Sequence, residues 1–328
     1  MKLSKVEIGK DPANLHRTLT LEMVRVTERA AIAAAEWRGK GNEKAADEAA
    51  VAAMKAELDH LSISGRIVIG EGEQFECDDL YVGQAVGEGE GPEVDIAVDP
   101  LEGVTLAAKN QPDSLVVLAM AERGGLLNVA RNVYMHKIAI GSEYAPETVH
   151  IEWSATENVT ALAKAKGVPI SEITAIVLDR PRHGGLLEEL RTAGVSVKLL
   201  SDGDIAGVIH AVNTADTGVD IYLGSGGAPE GVLAAAALRC IGGHMQGKLI
   251  LDTPDKRLRA KEMGITDANR IYDVTELAAG DVLFSATGVT DGSLVEGVKL
   301  RRGTVETSTV VMRSWSQTTR WIRARHAR

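Results

Sequence analysis

The sequence predicts an α/β fold, and three observations along its 328 residues support this class. The first quarter is rich in Ala, Leu, Glu and Lys with helical spacing of its apolar residues, and short β-branched runs follow it. From about Ala155 onward, helix-like and strand-like segments alternate with short connections. Such alternation is typical of a mostly parallel sheet with helices packed on it.

The first quarter is predicted to form a pair of helices. Asp11 followed by Pro12 is typical of a helix start, and the segment that follows carries apolar residues three and four positions apart. Gly39 and Gly41 interrupt this pattern, and Asn42 can cap a second helix. One long helix and a second, slightly shorter one are therefore expected.

Short runs rich in β-branched residues predict the strands that follow. They are "RIVIG" from Arg66, "VDIAV" from Val94, "SLVVLAMA" from Ser114 and "KIAIG" from Lys137. The alternating part then pairs helix-like with strand-like segments: "ATENVTALAKAKG" with "ITAIVLD", "GLLEELRTAG" with "VSVKLLSD", and "GDIAGVIHAVN" with "DIYLGSGG", before helix-like "APEGVLAAAALRCIGG". We expect an N-terminal α+β sub-domain over residues 1–155 and a C-terminal α/β sub-domain over 156–328.

Composition excludes several functional classes. An apolar fraction of 45% and a charged fraction of 25% exclude disordered and fibrous proteins, and a net charge of -10 argues against nucleic-acid or anionic-membrane binding. The N-terminal residues lack an apolar core of signal-peptide length, and no run approaches about 18 apolar residues, so we expect a cytoplasmic protein. Cys77 and Cys240 are too few for a disulfide framework or a thiolate metal site.

Acidic residues at the ends of predicted elements are candidate ligands of a hard metal ion. They are Asp47 in the second helix, Glu71 and Glu73 after "RIVIG", Asp99 and Glu102 after "VDIAV", and Glu230 at a helix start. Mg²⁺ prefers carboxylate oxygens from several elements together with substrate phosphate, and a pair of ions can clamp both oxygens of a displacement at phosphorus. Taken singly, each residue also fits a solvated loop, a turn or an exposed helical position. Together they favour a two-metal site.

Three predicted strand ends carry candidate phosphate and sugar contacts. "GSGGAPEG" runs from a strand into a helix start, where free N–H groups attract anions, and Arg180 and Arg182 in "RPRH" suit bidentate phosphate binding. Asp202 and Asp204 in "SDGD" can accept hydrogen bonds from sugar hydroxyls, although a helix cap and a solvated basic turn remain alternatives. Ends of neighbouring parallel strands share one sheet edge, so we predict a sugar phosphate as ligand.

Several motifs in the sequence together resemble those of a known family. They are "ADEAAVAAM", "IVIGEGE", "VDIAVDPLEG", "YMHK", "RPRH", "DGD", "GGAPEG" and "FSATGVTDGSLVEGV", in family order across most of the chain. The sequence is similar to the class II fructose-1,6-bisphosphatases, bacterial members of the metal-dependent, lithium-sensitive sugar phosphatase superfamily. The resemblance implies a layered sugar-phosphatase fold of two α/β sub-domains with the metal site between them.

The resemblance also implies an activity, a cofactor and an assembly. The activity is release of the 1-phosphate of fructose 1,6-bisphosphate or a similar ketose bisphosphate, as in gluconeogenesis, with Mn²⁺ or Mg²⁺ as cofactor. A homodimer or homotetramer is expected. The implied metal ligands are Asp47, Glu71, Asp99, Glu102 and Glu230. The implied substrate contacts are Glu102, Val104, Tyr134, Arg180, Arg182, Asp202, Asp204 and Gly227, with Arg180 at a position where the family usually has Lys.

Two positions depart from the family pattern. Phe75 and Val104 stand where the family has the Asp and Thr expected to orient and deprotonate the attacking water. Valine keeps nearly the shape of threonine without its hydroxyl, and phenylalanine cannot accept a proton. The water-activating pair is therefore missing as a unit.

Nearby residues offer a replacement for this pair, and other functions stay open. The candidate catalytic groups are Glu76, Asp78 and Thr105, with Asp79 as a further acid of the same loop. One alternative is a divergent enzyme that isomerises, cleaves or transfers a sugar phosphate while Phe75 and Val104 keep water out. Another is a protein that binds a sugar phosphate without turnover, for example as a regulatory partner.

Overall fold

The computed structural model describes Leu15 and residues 17–328, so the helix start expected at Asp11 and Pro12 lies outside the described residues. The α-helices of the described part are α1 (Leu19–Ala35), α2 (Glu43–Leu58), α3 (Val104–Lys109), α4 (Ala155–Lys166), α5 (Gly184–Thr192), α6 (Asp204–Val212), α7 (Thr214–Thr217), α8 (Ala228–Ile241), α9 (Pro254–Glu262) and α10 (Val274–Leu277). None of these helices is long and apolar enough to cross a membrane.

Strands of the same described part carry the following bounds. They are β1 (Ser64–Ile69), β2 (Ala85–Val86), β3 (Glu93–Glu102), β4 (Leu115–Glu122), β5 (Tyr134–Ile140), β6 (Thr174–Leu178), β7 (Ser196–Leu200), β8 (Ile221–Gly227), β9 (His244–Ile250), β10 (Ile271–Asp273), β11 (Val282–Gly288), β12 (Lys299–Arg301), β13 (Thr304–Arg313) and β14 (Thr318–Ala327). Every predicted strand run therefore overlaps an observed strand.

The predicted pair of N-terminal helices is confirmed. Gly39 and Gly41 separate α1 from α2 and both have positive φ, which glycine adopts without strain. The side chain of Asn42 accepts a hydrogen bond from the backbone N–H of Ala45 and so caps α2. Helix α1 packs on α2 and on strands β4, β11 and β13. The helical pair thus covers one face of a sheet.

This first sheet has eight strands within the described residues. Its order is β12–β13–β11–β4–β3–β1–β2, and β14 also pairs with β13. Strands β1 and β3 are parallel, while the other pairs are antiparallel. Because β3 lies parallel to β1, the C-terminal part of β3 with Asp99 and Glu102 and the acidic loop after β1 lie at the same end of the sheet, and these two acids lie within β3 rather than after it.

The second sheet has six strands within the same residues, in the order β10–β9–β5–β8–β6–β7. Strand β6 is parallel to β7 and β8, but β5 is antiparallel to β8 and β9, and β9 is antiparallel to β10. The expectation of a mostly parallel sheet is therefore wrong. The helix–strand alternation specifies the crossovers among β6, β7 and β8, whereas β5 precedes it and inserts between β8 and β9.

Both sheets draw on both halves of the chain. Strand β5 belongs to the second sheet although it lies before residue 155, and β11 to β14 return to the first sheet. The sheets are therefore not separated at residue 155, and the sub-domain boundary stays a prediction. The two-sheet, helix-covered architecture confirms the layered α/β class.

Helix α8 joins the two sheets. It contacts β3, β4 and β11 of the first sheet and β5, β8 and β9 of the second. Its central residues 234–237 are four consecutive buried alanines, whose small side chains let sheets approach on several sides. The N-terminus of α8 therefore lies where the two sheets meet.

Gly70 controls the start of the acidic loop after β1. A Cβ at this position would lie 1.9 Å from the carbonyl oxygen of Leu80, which also accepts a hydrogen bond from the backbone N–H of Glu71. We expect Gly70→Ala to lower the free energy of unfolding by about 1–3 kcal/mol, because the loop or the strand must move. Urea unfolding measures this loss.

Gly184→Ala is the matched control for this prediction. A Cβ at Gly184 has no neighbour within 4 Å, and the residue begins helix α5, so its replacement is expected to leave the urea midpoint unchanged or raise it. Equal midpoints for Gly70→Ala and the unmodified chain would contradict the steric argument.

Candidate active site

A cavity of about 310 Å³ lies at the junction of the two sheets. Its lining combines carboxylates with arginines, and we call it the carboxylate cavity. The lining residues are Asp47, Glu71, Asp99, Leu101, Glu102, Gly103, Val104, Thr105, Arg131, Tyr134, Leu178, Arg180, Arg182, Asp202, Asp204, Gly226, Gly227 and Glu230. The structure thus brings together all five predicted metal ligands and every predicted substrate contact.

The ends of β3 and α8 place three of the acids. The backbone N–H of Leu101 donates to Asp99 at 3.2 Å, and that of Ile205 donates to Glu102 at 3.4 Å. Glu102 is only 5% exposed, yet its Oε2 has no hydrogen-bond partner among the described residues, and the buried Oε2 of Glu230 has none among them either. Buried carboxylate oxygens without a partner are costly, so these two atoms require a proton or a cation.

The raised pKa values of three carboxyl groups in the cavity also indicate a need for a proton or a cation. Burial, reinforced by repulsion from Glu230, raises the pKa of Asp99 well above its usual range. Burial and the charge of Asp99 do the same to the pKa of Glu102. Burial also raises the pKa of Glu230, assisted by the neighbouring charge of Asp204. Nearby cations such as Lys137 oppose the raised pKa of Glu230 but do not reverse it, so negative charge in the inner part of the cavity is only partly compensated.

The outer acids have a cation beside them. Burial raises the pKa of Asp47 and of Glu71, while the guanidinium of Arg131 opposes both shifts. Nη1 of Arg131 lies 3.2 Å from Oε2 of Glu71. Sequence reasoning missed Arg131, because it lies in an irregular segment and its only signal is its position three residues before the "YMHK" motif.

The donor chemistry of the cavity fits a hard divalent cation. It offers carboxylate oxygens from several elements, two of which are buried without partners. Among the described residues, however, no group of three or more His, Cys, Asp or Glu side chains is arranged so that it could hold a metal ion as it stands. Binding an ion therefore requires these side chains to turn toward each other, which mutual repulsion opposes until a cation is present.

The predicted phosphate-binding arginines are fixed by their own hydrogen bonds. Arg180 donates to Asp202 at 3.0 Å and to the carbonyl oxygen of Ser201. Arg182 donates from Nη2 to the carbonyl oxygen of Ser225 at 2.7 Å, and its guanidinium lies 5.1 Å from the ring centre of Tyr134. These contacts hold two cations at the cavity. Arg180 is paired with a carboxylate, whereas Arg182 has no carboxylate partner among the described residues.

A buried ion pair supports the opposite wall. Lys137 is fully buried, pairs with Asp204 and also donates to the carbonyl oxygen of Gly227 at 2.9 Å. A Cβ at Gly226 would lie 2.2 Å from Oδ2 of Asp204, and one at Gly227 would lie 1.9 Å from Oε2 of Glu230. These glycines thus let two carboxylates approach the backbone, a role that the sequence did not indicate.

Only part of the expected replacement for the water-activating pair lies at the cavity. Val104 and Thr105 line it at the start of α3, after Gly103 with a φ of 76°. The hydroxyl of Thr105 donates to Oε1 of Glu43 at 2.8 Å, outside the set of predicted ligands. The catalytic role of Thr105 stays a prediction.

The loop between β1 and β2 places its acids elsewhere. Oε2 of Glu76 accepts a hydrogen bond from the backbone N–H of Glu73 at 3.0 Å, and Asp78 is exposed. Neither residue lines the cavity, and neither does Asp79. Phe75 is 82% exposed and also lies outside the lining, so its position does not support a role in keeping water out.

Comparisons with known proteins agree with this arrangement. The family model described as bacterial fructose-1,6-bisphosphatase, glpX-encoded, matches residues 17–326. The chain is 44% identical over 326 residues to the D-fructose 1,6-bisphosphatase class 2/sedoheptulose 1,7-bisphosphatase of Prochlorococcus marinus (strain MIT 9313), covering 95% of this chain and 97% of the relative. A protein of the same description from Synechococcus sp. (strain JA-3-3Ab) is 43% identical over 333 residues, covering 94% and 95%.

The raised pKa of Glu102 predicts how pH affects the chelator-treated protein. Because the pKa is raised above the ordinary value of 4.5, this group favours the folded state below pH 4.5, and the contribution is lost as pH rises through the raised value. We expect Glu102→Gln to raise the melting temperature at pH 8 in chelator, with a gain that shrinks toward pH 4.5.

Glu262→Gln serves as the control for this pH series, since Glu262 is exposed on α9 and lies outside the cavity lining. Melting is followed by circular dichroism at several pH values. If the unmodified chain is as stable as Glu102→Gln at pH 8, burial of a charged Glu102 does not destabilise the fold and the electrostatic argument fails.

Proposed function

Because the chain belongs to the bacterial, glpX-encoded fructose-1,6-bisphosphatase family, we propose that it is a phosphatase that releases the 1-phosphate of fructose 1,6-bisphosphate or a similar ketose bisphosphate with the help of a divalent metal ion. One observation carries this proposal beyond family membership. A single cavity gathers carboxylates suited to hard cations opposite arginines suited to phosphate.

The carboxylate cavity has two walls with different proposed roles: one carries the carboxylates that would bind metal, and the other carries Arg180 and Arg182. The residues that would hold Mn²⁺ or Mg²⁺ are Asp47, Glu71, Asp99, Glu102 and Glu230. A bound divalent ion polarises phosphoryl oxygens and lowers the pKa of water. The unpartnered oxygens of Glu102 and Glu230 support this assignment, because they gain the partner that the protein does not supply.

The wall formed by Arg180 and Arg182 would bind the phosphate that is not cleaved. Arg180 and Arg182 carry fixed positive charge, since each is held by a backbone carbonyl. Tyr134 lies against the guanidinium of Arg182 and limits its movement. Asp202 and Asp204 would accept hydrogen bonds from sugar hydroxyls, and the ion pair with Lys137 keeps Asp204 in place.

A second candidate function follows from Val104. Its side chain lines the cavity but has no hydroxyl, and the hydroxyl of the adjacent Thr105 is engaged by Glu43. This arrangement favours slow hydrolysis, or a sugar-phosphate site that binds or rearranges its ligand without transferring the phosphoryl group to water.

Several further parts of the proposal rest on family resemblance. They are a homodimer or homotetramer and a role in gluconeogenesis, whereas the proposed cytoplasmic location comes from the sequence pattern. The net charge of -10 supports a small-molecule substrate rather than nucleic acid or an anionic membrane. The choice between fructose and sedoheptulose bisphosphates is open, since the names of the relatives include both activities.

Release of inorganic phosphate from fructose 1,6-bisphosphate tests the proposed activity. We expect release that requires Mn²⁺ or Mg²⁺, stops with chelator, and falls by at least about 10²-fold in Glu102→Gln, because that variant loses a buried anionic oxygen at the metal. Glu262→Gln, with the same chemical change at an exposed position, is expected to match the unmodified chain.

The opposite outcome separates the two candidate functions. If phosphate release by the unmodified chain does not exceed that of Glu102→Gln, the phosphatase proposal fails. Phosphorus NMR of the same mixtures then distinguishes conversion of the sugar phosphate without phosphate release from binding without turnover.

Restoring the missing pair tests its importance for hydrolysis. We expect the double variant Phe75→Asp with Val104→Thr to release phosphate about 10²- to 10⁴-fold faster, the usual contribution of general base catalysis. Each single variant is the control. A gain produced entirely by Val104→Thr would mean that Asp at position 75 does not reach the cavity, and no gain in a folded, metal-binding double variant would contradict the hypothesis.

A further inference from the structure

Arg131 differs from the other cations of the carboxylate cavity in its partner. Arg180 and Arg182 donate to backbone carbonyls and, in the case of Arg180, to a predicted sugar contact. Arg131 instead pairs with Glu71, a residue proposed to hold the metal, with 3.2 Å between Nη1 and Oε2. A predicted metal ligand is thus engaged by a cation of the protein itself.

The position of Arg131 allows this contact to break at low cost. Its side chain is 58% exposed, whereas that of Glu71 is only 13% exposed. The residue lies in the irregular segment between β4 and β5, outside any helix or strand. An arginine on such a segment can turn into solvent, while Glu71 stays fixed to the end of β1 by the hydrogen bond between its N–H and Leu80.

We propose that Arg131 is an exchangeable counter-ion, which holds Glu71 in the metal-free protein, leaves when Glu71 binds a divalent cation, and thereby weakens the affinity of the cavity for that cation. This inference rests on the proposed metal-dependent function. It assigns a role to a residue outside the predicted ligand set, and that role sets how much metal the protein needs.

Competition follows from charge and from geometry together. The guanidinium occupies one of the lone-pair directions of the Glu71 oxygen that it faces and partly neutralises its charge, so the oxygen binds an ion less strongly while Arg131 is in place. A divalent ion placed beside Glu71 also repels the guanidinium, so one cation leaves as the other enters. Since the pair is half open to solvent, the competition is modest in size.

Binding of Mn²⁺ to chelator-stripped protein tests this proposal without relying on activity. Titrations by electron paramagnetic resonance compare the unmodified chain with Arg131→Gln and Arg131→Lys. We expect Arg131→Gln to bind Mn²⁺ about two- to fivefold more tightly, which is the range that a half-exposed ion pair supports. Arg131→Lys keeps the positive charge and is expected to lie closer to the unmodified chain.

Arg29→Gln is the matched control variant. Arg29 pairs with Glu57 at 3.3 Å and is 61% exposed, so its ion pair resembles that of Arg131 but joins α1 to α2 outside the cavity lining. The Arg29→Gln substitution removes one positive charge from the protein, as Arg131→Gln does. Its Mn²⁺ affinity is expected to equal that of the unmodified chain.

A double-mutant cycle with Glu71→Gln tests whether the effect acts through the pair. In that background the gain from Arg131→Gln should shrink toward onefold, because the competed carboxylate is already gone. An undiminished gain would overturn the exchange of partners at Glu71. So would an Arg131→Gln variant that is folded by circular dichroism and binds Mn²⁺ no more tightly than the unmodified chain.

The outcomes also separate this inference from the proposed function. If the unmodified chain binds Mn²⁺ and Arg131→Gln does not change the affinity, only the counter-ion role fails. If neither the unmodified chain nor any of these variants binds Mn²⁺, the metal-dependent function and the counter-ion role fail together.

Discussion

Repulsion among buried carboxylates is the constraint on which the rest of this structure depends. Asp99, Glu102 and Glu230 share one cavity, and burial, followed by the charge of a neighbouring carboxylate, raises the pKa of each. Lys137, Arg131 and Arg180 pair with other carboxylates of this cavity, namely Asp204, Glu71 and Asp202. In the proposed function, the charge that remains unbalanced favours binding of a divalent ion, since a fully neutralised cluster would have little to gain from one.

The architecture keeps these charges close although they repel. Helix α8 is packed between both sheets, so Glu230 at its start cannot move away from the end of β3 without disturbing the hydrophobic core that residues of both sheets share with α8. Gly226 and Gly227 then allow the carboxylates of Asp204 and Glu230 to lie against the backbone of β8. Rigid packing around small residues thus supplies the energy that holds the cluster together.

Local sequence patterns predicted much of this arrangement, but not the parts that depend on long-range pairing. The ends of β1 and β8 were predicted to within about one residue, because their β-branched runs stop at acidic or glycine turns, whereas β3 continues to Glu102, past the predicted end at Val98. The order of strands in the second sheet was not predicted, since the insertion of β5 between β8 and β9 is decided by tertiary packing. Arg131 was missed for the same reason: its contact with Glu71 joins segments about sixty residues apart, and neither segment signals the other.

The two positions that we interpret as departures from the family pattern lie in different parts of the structure. Val104 presents a methyl group rather than a hydroxyl at the wall of the cavity, whereas Phe75 lies on an exposed loop. In the proposed function, the missing hydroxyl at Val104 acts directly on the bound ligand, whereas the missing acid at position 75 acts through the loop that would carry it. The carboxylates and arginines of the cavity are present beside Val104. The proposed binding of metal and sugar phosphate therefore depends on different residues from the proposed activation of water, so one can persist while the other weakens.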